Sequence, residues 1–460
     1  MNAKPRYVEL SAVPLSLLSG LLLALSLPPQ DFNSFGWIGF LPLLLACRLV
    51  HPIPAAGCGM LTAFACGAVL AGGWSTPQEF ANLFAAFGGL ALVVGLVAGF
   101  ASYGSMRINS ALWPFFVASA GVTAELLSVY FFPVNVAVSQ HQNPVALRIA
   151  SYTGVWGVSF LIWLLPASVL TACVKPKSAL PALVVCVPVL ALTTFCAFPV
   201  DRSSEPTLAV AAVQAMDPYD AAEETDRIAP RAHVVVWPEQ LTDWNNTKAY
   251  EAATKNGRFI VASFRGENIH PKPYNTARLI SPTGETLILS QKRHLFGVER
   301  SEYRAGRRSL VADCGWGVAI CYDTMFTDVV RDLTRQGARI ILMPNSDPES
   351  PKSLLGHLHG AITSFRAAEN GVPIVLADRT ALSAIYDGSG RKLAQVPKAP
   401  VTSVCGKVNL RRGMTLFTIV GDDFAYLCAA FLVGSVSATA RRRTLLRRKE
   451  KPGNRGQMGC

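Results

Sequence analysis

Three polar side chains stand where strands should end. Glu239 closes the apolar run Val234-Val-Val-Trp-Pro-Glu239, Lys292 follows the strand-like run Thr286 to Ser290, and Cys321 ends Trp316-Gly-Val-Ala-Ile-Cys321 just before a helical stretch. In open α/β sheets the carboxyl ends of strands are where sites form. A thiol at a strand-to-helix turn lies near a helix N-terminus, which lowers its pKa. The trio has a coherent chemistry. The thiol must lose its proton to attack a carbonyl, and a carboxylate can take that proton and return it to a leaving group. A lysine ammonium, with backbone N–H groups, can stabilise the oxyanion. That is covalent acyl transfer through a thioester. Each residue also has a plain structural role open to it: Cys321 as a packed strand end, Glu239 as a loop or capping residue, Lys292 with Arg293 as a solvated basic pair.

The segment that carries these residues, from Asp201 to about Leu416, alternates strand and helix signals. Strand-like runs are Leu208 to Val213, His233 to Trp237, Phe259 to Ser263, Ala277 to Ser281, Gly317 to Cys321, Ile340 to Pro344 and Ile374 to Ala377. Helix-like stretches are Thr247 to Asn256, Met325 to Gln336 and His357 to Asn370. Strands separated by helices predict an α/β domain with a covered sheet. Ser281-Pro-Thr-Gly284 and Asp387-Gly-Ser-Gly390 predict hairpin turns.

The rest of the 460 residues is a different material: 51% of the chain is hydrophobic and only 16% charged, against about 25% charged in soluble domains. That balance excludes a disordered chain. A membrane-spanning helix needs roughly 20 mostly apolar residues. Seven such runs precede Pro199: Leu10 to Leu27, Phe35 to Val50, Ala55 to Trp74, Phe84 to Gly104, Ala111 to Phe132, Tyr152 to Cys173 and Leu180 to Phe198. An eighth runs from about Leu416 to Ala438. The first run, closely followed by others, reads as an uncleaved signal anchor. The domains expected are a bundle over 1–200, the α/β domain over 201–415, a last helix over 416–440 and a basic tail over 441–460.

The net charge of +12 is largely a topology signal. Lys4 and Arg6, Arg48, Arg107, Lys175 and Lys177, and the Arg441 to Arg455 tail fall in alternate loops, while the intervening loops hold Asp31, Glu79 and a single Arg148. The positive-inside rule then puts both termini in the cytoplasm and the α/β domain outside it. No nucleic-acid partner is expected; the tail could attract anionic lipid headgroups. Glu125 sits within the fifth apolar run, where a charge is a functional hypothesis by default. Tyr130, Phe131 and Phe132 are placed as an interfacial aromatic anchor. Eleven cysteines are too dilute for a disulfide scaffold, although Cys314 and Cys405 both fall in the outward domain and could pair. His141 and His359 lack a convincing ligand constellation, so no metal is expected.

Trp237-Pro-Glu239, Lys292-Arg-His-Leu295 and Ala319-Ile-Cys-Tyr-Asp323 resemble, in this chain order, the three catalytic signatures of the carbon–nitrogen hydrolase (nitrilase) superfamily. The whole chain further resembles the bacterial apolipoprotein N-acyltransferases. Gln142-Asn-Pro-Val-Ala-Leu-Arg-Ile-Ala150 with Thr153-Gly-Val-Trp-Gly-Val-Ser-Phe-Leu161, and His359 with Phe365-Arg-Ala-Ala-Glu-Asn-Gly-Val-Pro373, are similar to further family segments. The resemblance implies a membrane protein: an eight-helix transmembrane bundle plus an extracytoplasmic nitrilase-like αββα sandwich, in a bacterial inner membrane. It implies an enzyme that moves an acyl chain from a phospholipid, through a cysteine thioester, to the N-terminal amine of a diacylglyceryl-cysteine lipoprotein. Cys321 would be the nucleophile, Glu239 the base and acid, Lys292 the oxyanion stabiliser. A second essential carboxylate would be Glu299, seven residues before Gly306, with Glu302 the close alternative. Tyr322, His359 and Glu125 would contact substrate. No cofactor is implied, and a monomer is expected.

The chain departs from the family pattern in places. Phe296-Gly-Val-Glu299 is closer to soluble nitrilases, Cys321-Tyr-Asp323 replaces Cys-Tyr-Glu, Phe132-Pro-Val134 replaces Phe-Pro-Trp, and Asn345-Ser-Asp-Pro-Glu349 lacks an aromatic pair expected to touch lipid. Three other readings therefore stay open: a diverged acyltransferase with another amine acceptor, a membrane-tethered amidase using water, and a non-catalytic scaffold.

Overall fold

The computed structural model describes residues 11–71, 77–129, 133–182, 184, 191, 206–267, 271–347, 354–397, 399–410 and 413–450, with the side chains of 71–87, 443 and 445–450 left out. The aromatic run at 130–132 and most of the seventh apolar run lie outside these residues. The first half is helical: α1 (Ala12–Ser26), α2 (Ser34–Ile38), α3 (Leu41–Leu49), α4 (Pro52–Ala71), α5 (Pro77–Arg107), α6 (Trp113–Ser128), α7 (Pro144–Thr153) and α8 (Val155–Val174). Among the described residues, four helices are long and apolar enough to cross a membrane: Pro52–Leu70, Gly88–Arg107, Val155–Val174 and Asp423–Arg442. Ala12–Ser26 and Ser34–Leu49 are apolar but shorter. Small residues let the helices approach closely. A Cβ on Gly59 of α4 would sit 2.5 Å from the Val94 carbonyl oxygen of α5.

Two apolar runs are not single helices. The run from Phe35 to Val50 breaks at Gly39 and Phe40, because Pro42 at the start of α3 has no N–H to carry the α2 ladder forward. The run from Leu416 divides into α14 (Leu416–Val420) and α15 (Asp423–Glu450) at Gly421, whose φ is 67°. The last long helix therefore starts at Asp423 rather than Leu416, and continues into the basic tail past Ala438. The sixth run also starts later than Tyr152. Asn143 caps the amphipathic α7, accepting from the N–H groups of Val145 and Ala146, and Gly154 at φ 68° separates it from α8.

The remaining chain forms the α/β lobe. One sheet runs β12 (Thr402–Asn409), β1 (Thr207–Gln214), β2 (Val234–Val236), β4 (Phe259–Glu267), β5 (Tyr274–Ile280), β6 (Thr286–Gln291), with β3 (Thr242–Asp243) paired to β4. The other runs β11 (Lys392–Gln395), β10 (Ala384–Tyr386), β9 (Ile374–Ala377), β8 (Ile340–Pro344), β7 (Trp316–Val318). β1, β2 and β4 are parallel, as are β7, β8 and β9; the outer strands pair antiparallel. Strand alternation sets the layers. Val210, Ala212, Val234 and Val236 meet Val318, Leu342 and Val375 of the second sheet. Ala211, Val213 and Val235 face the opposite way, onto α9 (Pro218–Ile228) and α10 (Lys248–Asn256) through Ala221, Ile228, Ala249 and Ala253. Ile341, Met343 and Ile374 likewise meet α12 (Asp328–Arg335) and α13 (Leu354–Asn370) through Val329, Leu333 and Ala367. The result is an αββα sandwich. The strand β12 and the helix α9 were not expected from the sequence.

α13 also joins lobe to bundle. Leu358, Ala361, Ile362 and Phe365 share one buried cluster with Ala146, Leu147 and Ala150 of α7. Glu369 accepts the N–H of Val155 at 2.8 Å. Asp422, between α14 and α15, accepts from Trp156 Nε1 at 2.6 Å and from Thr327 Oγ1 at 2.9 Å.

Candidate active site

Glu239, Lys292 and Glu299 meet. The loop after β2 buries Glu239, whose N–H donates to the Asn345 carbonyl at 3.0 Å. Lys292 follows β6 and is only 1% exposed. Its Nζ donates to Glu239 Oε1 at 2.8 Å and reaches both oxygens of Glu299, at 3.0 and 2.8 Å. Glu299 opens α11 (Glu299–Glu302) and is steadied by the Phe296 N–H on Oε2 at 2.8 Å. Asn275 of β5 donates to Glu239 Oε1 at 2.7 Å and to Glu299 Oε1 at 3.1 Å. Of the two candidate second carboxylates the structure brings Glu299 to the lysine; Glu302 is exposed.

Cys321 lies in a 3-10 turn (Cys321–Met325) three residues beyond the end of β7, not within the strand, and its φ is 44°. A non-glycine residue in this left-handed region is strained, and such strain concentrates at functional positions. Burial first, then the negative charge of Glu239, pushes the thiol well above its ordinary value, while Lys292 pulls it back. Burial alone would lower the lysine, but the charges of Cys321, Glu239 and Glu299 hold it protonated, well above its ordinary range. The ammonium thus lies within electrostatic reach of the sulfur, as an oxyanion stabiliser needs.

Asp323 binds the lysine loop to the cysteine turn. Its Oδ1 accepts from the N–H groups of Arg293 at 2.9 Å and His294 at 2.8 Å, and its Oδ2 from the Ile320 N–H at 3.3 Å. Cys321 Sγ, an Asp347 carboxylate oxygen and a His359 ring nitrogen all lie within 4.8 Å of one another. His359 Nδ1 is 3.0 Å from Asp347 Oδ1, and its Nε2 is 2.8 Å from Thr324 Oγ1. Both ring nitrogens of His359 are thus engaged, one with Asp347 and one with Thr324. Tyr322 packs edge-on to Phe296 and Phe326 at 5.1 and 5.3 Å. Glu125 lies in the bundle, accepting from Ser159 Oγ at 2.6 Å and Trp163 Nε1 at 3.0 Å. Cys314 and Cys405 are both free thiols.

Sequence reasoning missed Asn275, Asp347 and the clamp formed by Asp323. For Asn275 the signal was an amide in an apolar strand, but the expected strand began at Ala277. For Asp347 it was the carboxylate just past Ile340 to Pro344.

Residues 137–411, more than half of the chain, match the carbon–nitrogen hydrolase family, and residues 19–168 match the apolipoprotein N-acyltransferase N-terminal domain. The chain belongs to the carbon–nitrogen hydrolase family, in its apolipoprotein N-acyltransferase branch. Among this family's proteins, the chain is 27% identical to an apolipoprotein N-acyltransferase of Geobacter metallireducens, over 96% of this chain and 98% of that one. It is 24% identical to one of Chlorobaculum tepidum, over 93% and 97%. A nitrilase of Pyrococcus abyssi is 29% identical over 43% of this chain and 70% of its own. Among solved structures, Saccharomyces cerevisiae Nit3 of the nitrilase superfamily aligns at TM-score 0.40 and 20% identity, covering 44% of this chain and 90% of its own.

Proposed function

We propose that this protein is a membrane N-acyltransferase that moves an acyl chain from a phospholipid to the N-terminal amine of a diacylglyceryl-cysteine lipoprotein. The observation that carries this reading is the buried Glu239–Lys292–Glu299 cluster beside a strained cysteine, in a lobe seated on apolar helices. Cys321 is the nucleophile. Its sulfur attacks the acyl-ester carbonyl while Glu239 takes the thiol proton, and Lys292 faces the oxyanion. Collapse breaks the ester C–O bond, and Glu239 returns its proton to the lysophospholipid oxygen. The acceptor amine then attacks the thioester, the C–S bond breaks, and the amine's proton passes by way of Glu239 to the departing sulfur. Glu299 holds Lys292 in place. Tyr322, His359 and Glu125 serve the substrate side.

The same reading gives eight membrane helices, seven before the lobe of residues 201–415 and one after it. It puts the lobe outside the cytoplasm. Charge placement supports that orientation. Arg48 reaches the Leu170 carbonyl at 3.1 Å near the end of α8, Arg107 ends α5, and Lys175 follows α8. All three are at the end of the bundle opposite the Glu369–Val155 junction, as the positive-inside rule requires.

The test is direct. Purified protein is incubated with acyl-labelled phospholipid, and the hydroxylamine-sensitive adduct on Cys321 is then chased with a lipopeptide. Adduct that transfers to the peptide amine is expected, with none formed by Cys321→Ala. Adduct without transfer assigns another acceptor; hydrolysis of small amides without any lipid adduct assigns an amidase.

A further inference from the structure

The proposed chemistry uses Glu239, Lys292 and Glu299; a second buried titratable group, assigned above only to the substrate side, lies beside the sulfur. His359 is 3% exposed and faces Asp347 and Thr324. Its hydrogen-bond partners suit a doubly protonated ring. Thr324 Oγ1 donates to the Cys321 carbonyl at 3.1 Å, and with its hydrogen placed there Oγ1 accepts from His359 Nε2. Asp347, as a carboxylate, can only accept from Nδ1. In that arrangement both ring nitrogens carry hydrogen, as in an imidazolium.

Asp347 is itself held. Its Oδ2 accepts from Asn345 Nδ2 at 2.9 Å, and its N–H donates to Asp378 Oδ2 at 3.0 Å. Asn345 in turn accepts the Glu239 N–H, so Glu239 and Asp347 share a support. Without a cation on this side, Asp347 would add to the negative field that Glu239 already exerts on the thiol.

We infer that His359, held as an imidazolium by Asp347, is a positioning and charge-balancing residue for Cys321. It lets the sulfur become anionic between two cations, Lys292 and His359, and holds the cysteine turn through Thr324. The groups facing the ring are Asp347, Asp378, Lys292, Thr324 and Cys321, and the two aspartates favour its charged form against burial. The imidazolium is present below its raised pKa and lost above it, so the assistance disappears as pH rises. This inference rests on the acyl-thioester reading, in which Cys321 is the nucleophile.

The test measures iodoacetamide alkylation of Cys321 in the full-length protein, read by mass spectrometry of its peptide from pH 5 to pH 10. This readout needs no lipid turnover. His359→Gln should slow alkylation about tenfold near pH 7, the worth of one pKa unit, and the gap from wild type should close at high pH. His359→Asn should behave alike, and serves if the glutamine variant melts early. A profile superimposable on wild type in whichever variant stays folded overturns the inference. Glu239→Gln is the control. If its profile changes while His359→Gln does not, only this inference falls; if neither changes, the thioester reading falls with it.

Discussion

Asp323 Oδ1 accepts the main-chain N–H of Arg293 at 2.9 Å, which fastens the loop behind Lys292 to the turn that carries Cys321. The same carboxylate reaches Ile320 on its other oxygen. It is fully buried, and burial raises it from 3.8 to about 6 despite those N–H donors. A carboxyl raised on folding binds its proton more tightly in the native state. Stability therefore falls as pH rises from about 4 to about 6 and is level above, a cost of about 3 kcal/mol. Asp323→Asn lacks this titration but places an amide NH2 where the Ile320 N–H needs an acceptor. The melting temperature of the variant relative to wild type should climb between pH 4 and 6 and then stay constant. A difference independent of pH would contradict the assignment.

Glu299 and Glu302 lie on one short helix but differ in what they touch. Glu299→Gln should cut thioester formation by about a hundredfold, the scale of losing a group that sets a catalytic proton and charge balance. Glu302→Gln should leave it within about twofold, as expected of an exposed side chain. Single-turnover adduct rates compare the two.

Lys292→Met leaves Glu239 and Glu299 facing each other through Asn275 with no cation between them. Removing one partner of a buried ion pair costs about 3–5 kcal/mol. The variant should melt well below wild type and form no adduct. Lys292→Met with wild-type stability would mean that the carboxylates are not held as described.

Asp422→Ala strips the acceptor from Trp156 Nε1 and Thr327 Oγ1. Leaving a buried donor unpaired costs about 1–3 kcal/mol. Limited proteolysis in detergent should then cut between α14 and α15 faster than in wild type, while the Cys321 adduct still forms. Unchanged cleavage would show that the junction is held by apolar packing alone.

The readable residues were those whose strands are strongly patterned. Val234 to Val236 and Ile340 to Pro344 are uninterrupted apolar runs, so their ends were visible. Glu239 stands just past the first of them, and Lys292 follows the strand-like run Thr286 to Ser290. Cys321 was visible too, although its turn leaves the strand early and twists to positive φ, which no periodicity signals. Asn275 and Asp347 were hidden because their partners come from distant strands: a single amide in β5 acquires meaning only when Glu239 and Lys292 fold against it. The break at Gly421 was hidden for a similar reason. Leu416 to Ala438 is apolar enough to read as one helix, and the bonds that divert it, from Trp156 and Thr327 to Asp422, are tertiary.

His359 rides on α13, and the same helix lays Leu358, Ile362 and Phe365 against α7 of the bundle. The rod that presents an imidazole to the sulfur is thus also the beam on which the lobe rests. A displacement of α7 would therefore be felt at the thiol, because support of the lobe and placement of the imidazole share one mechanical member.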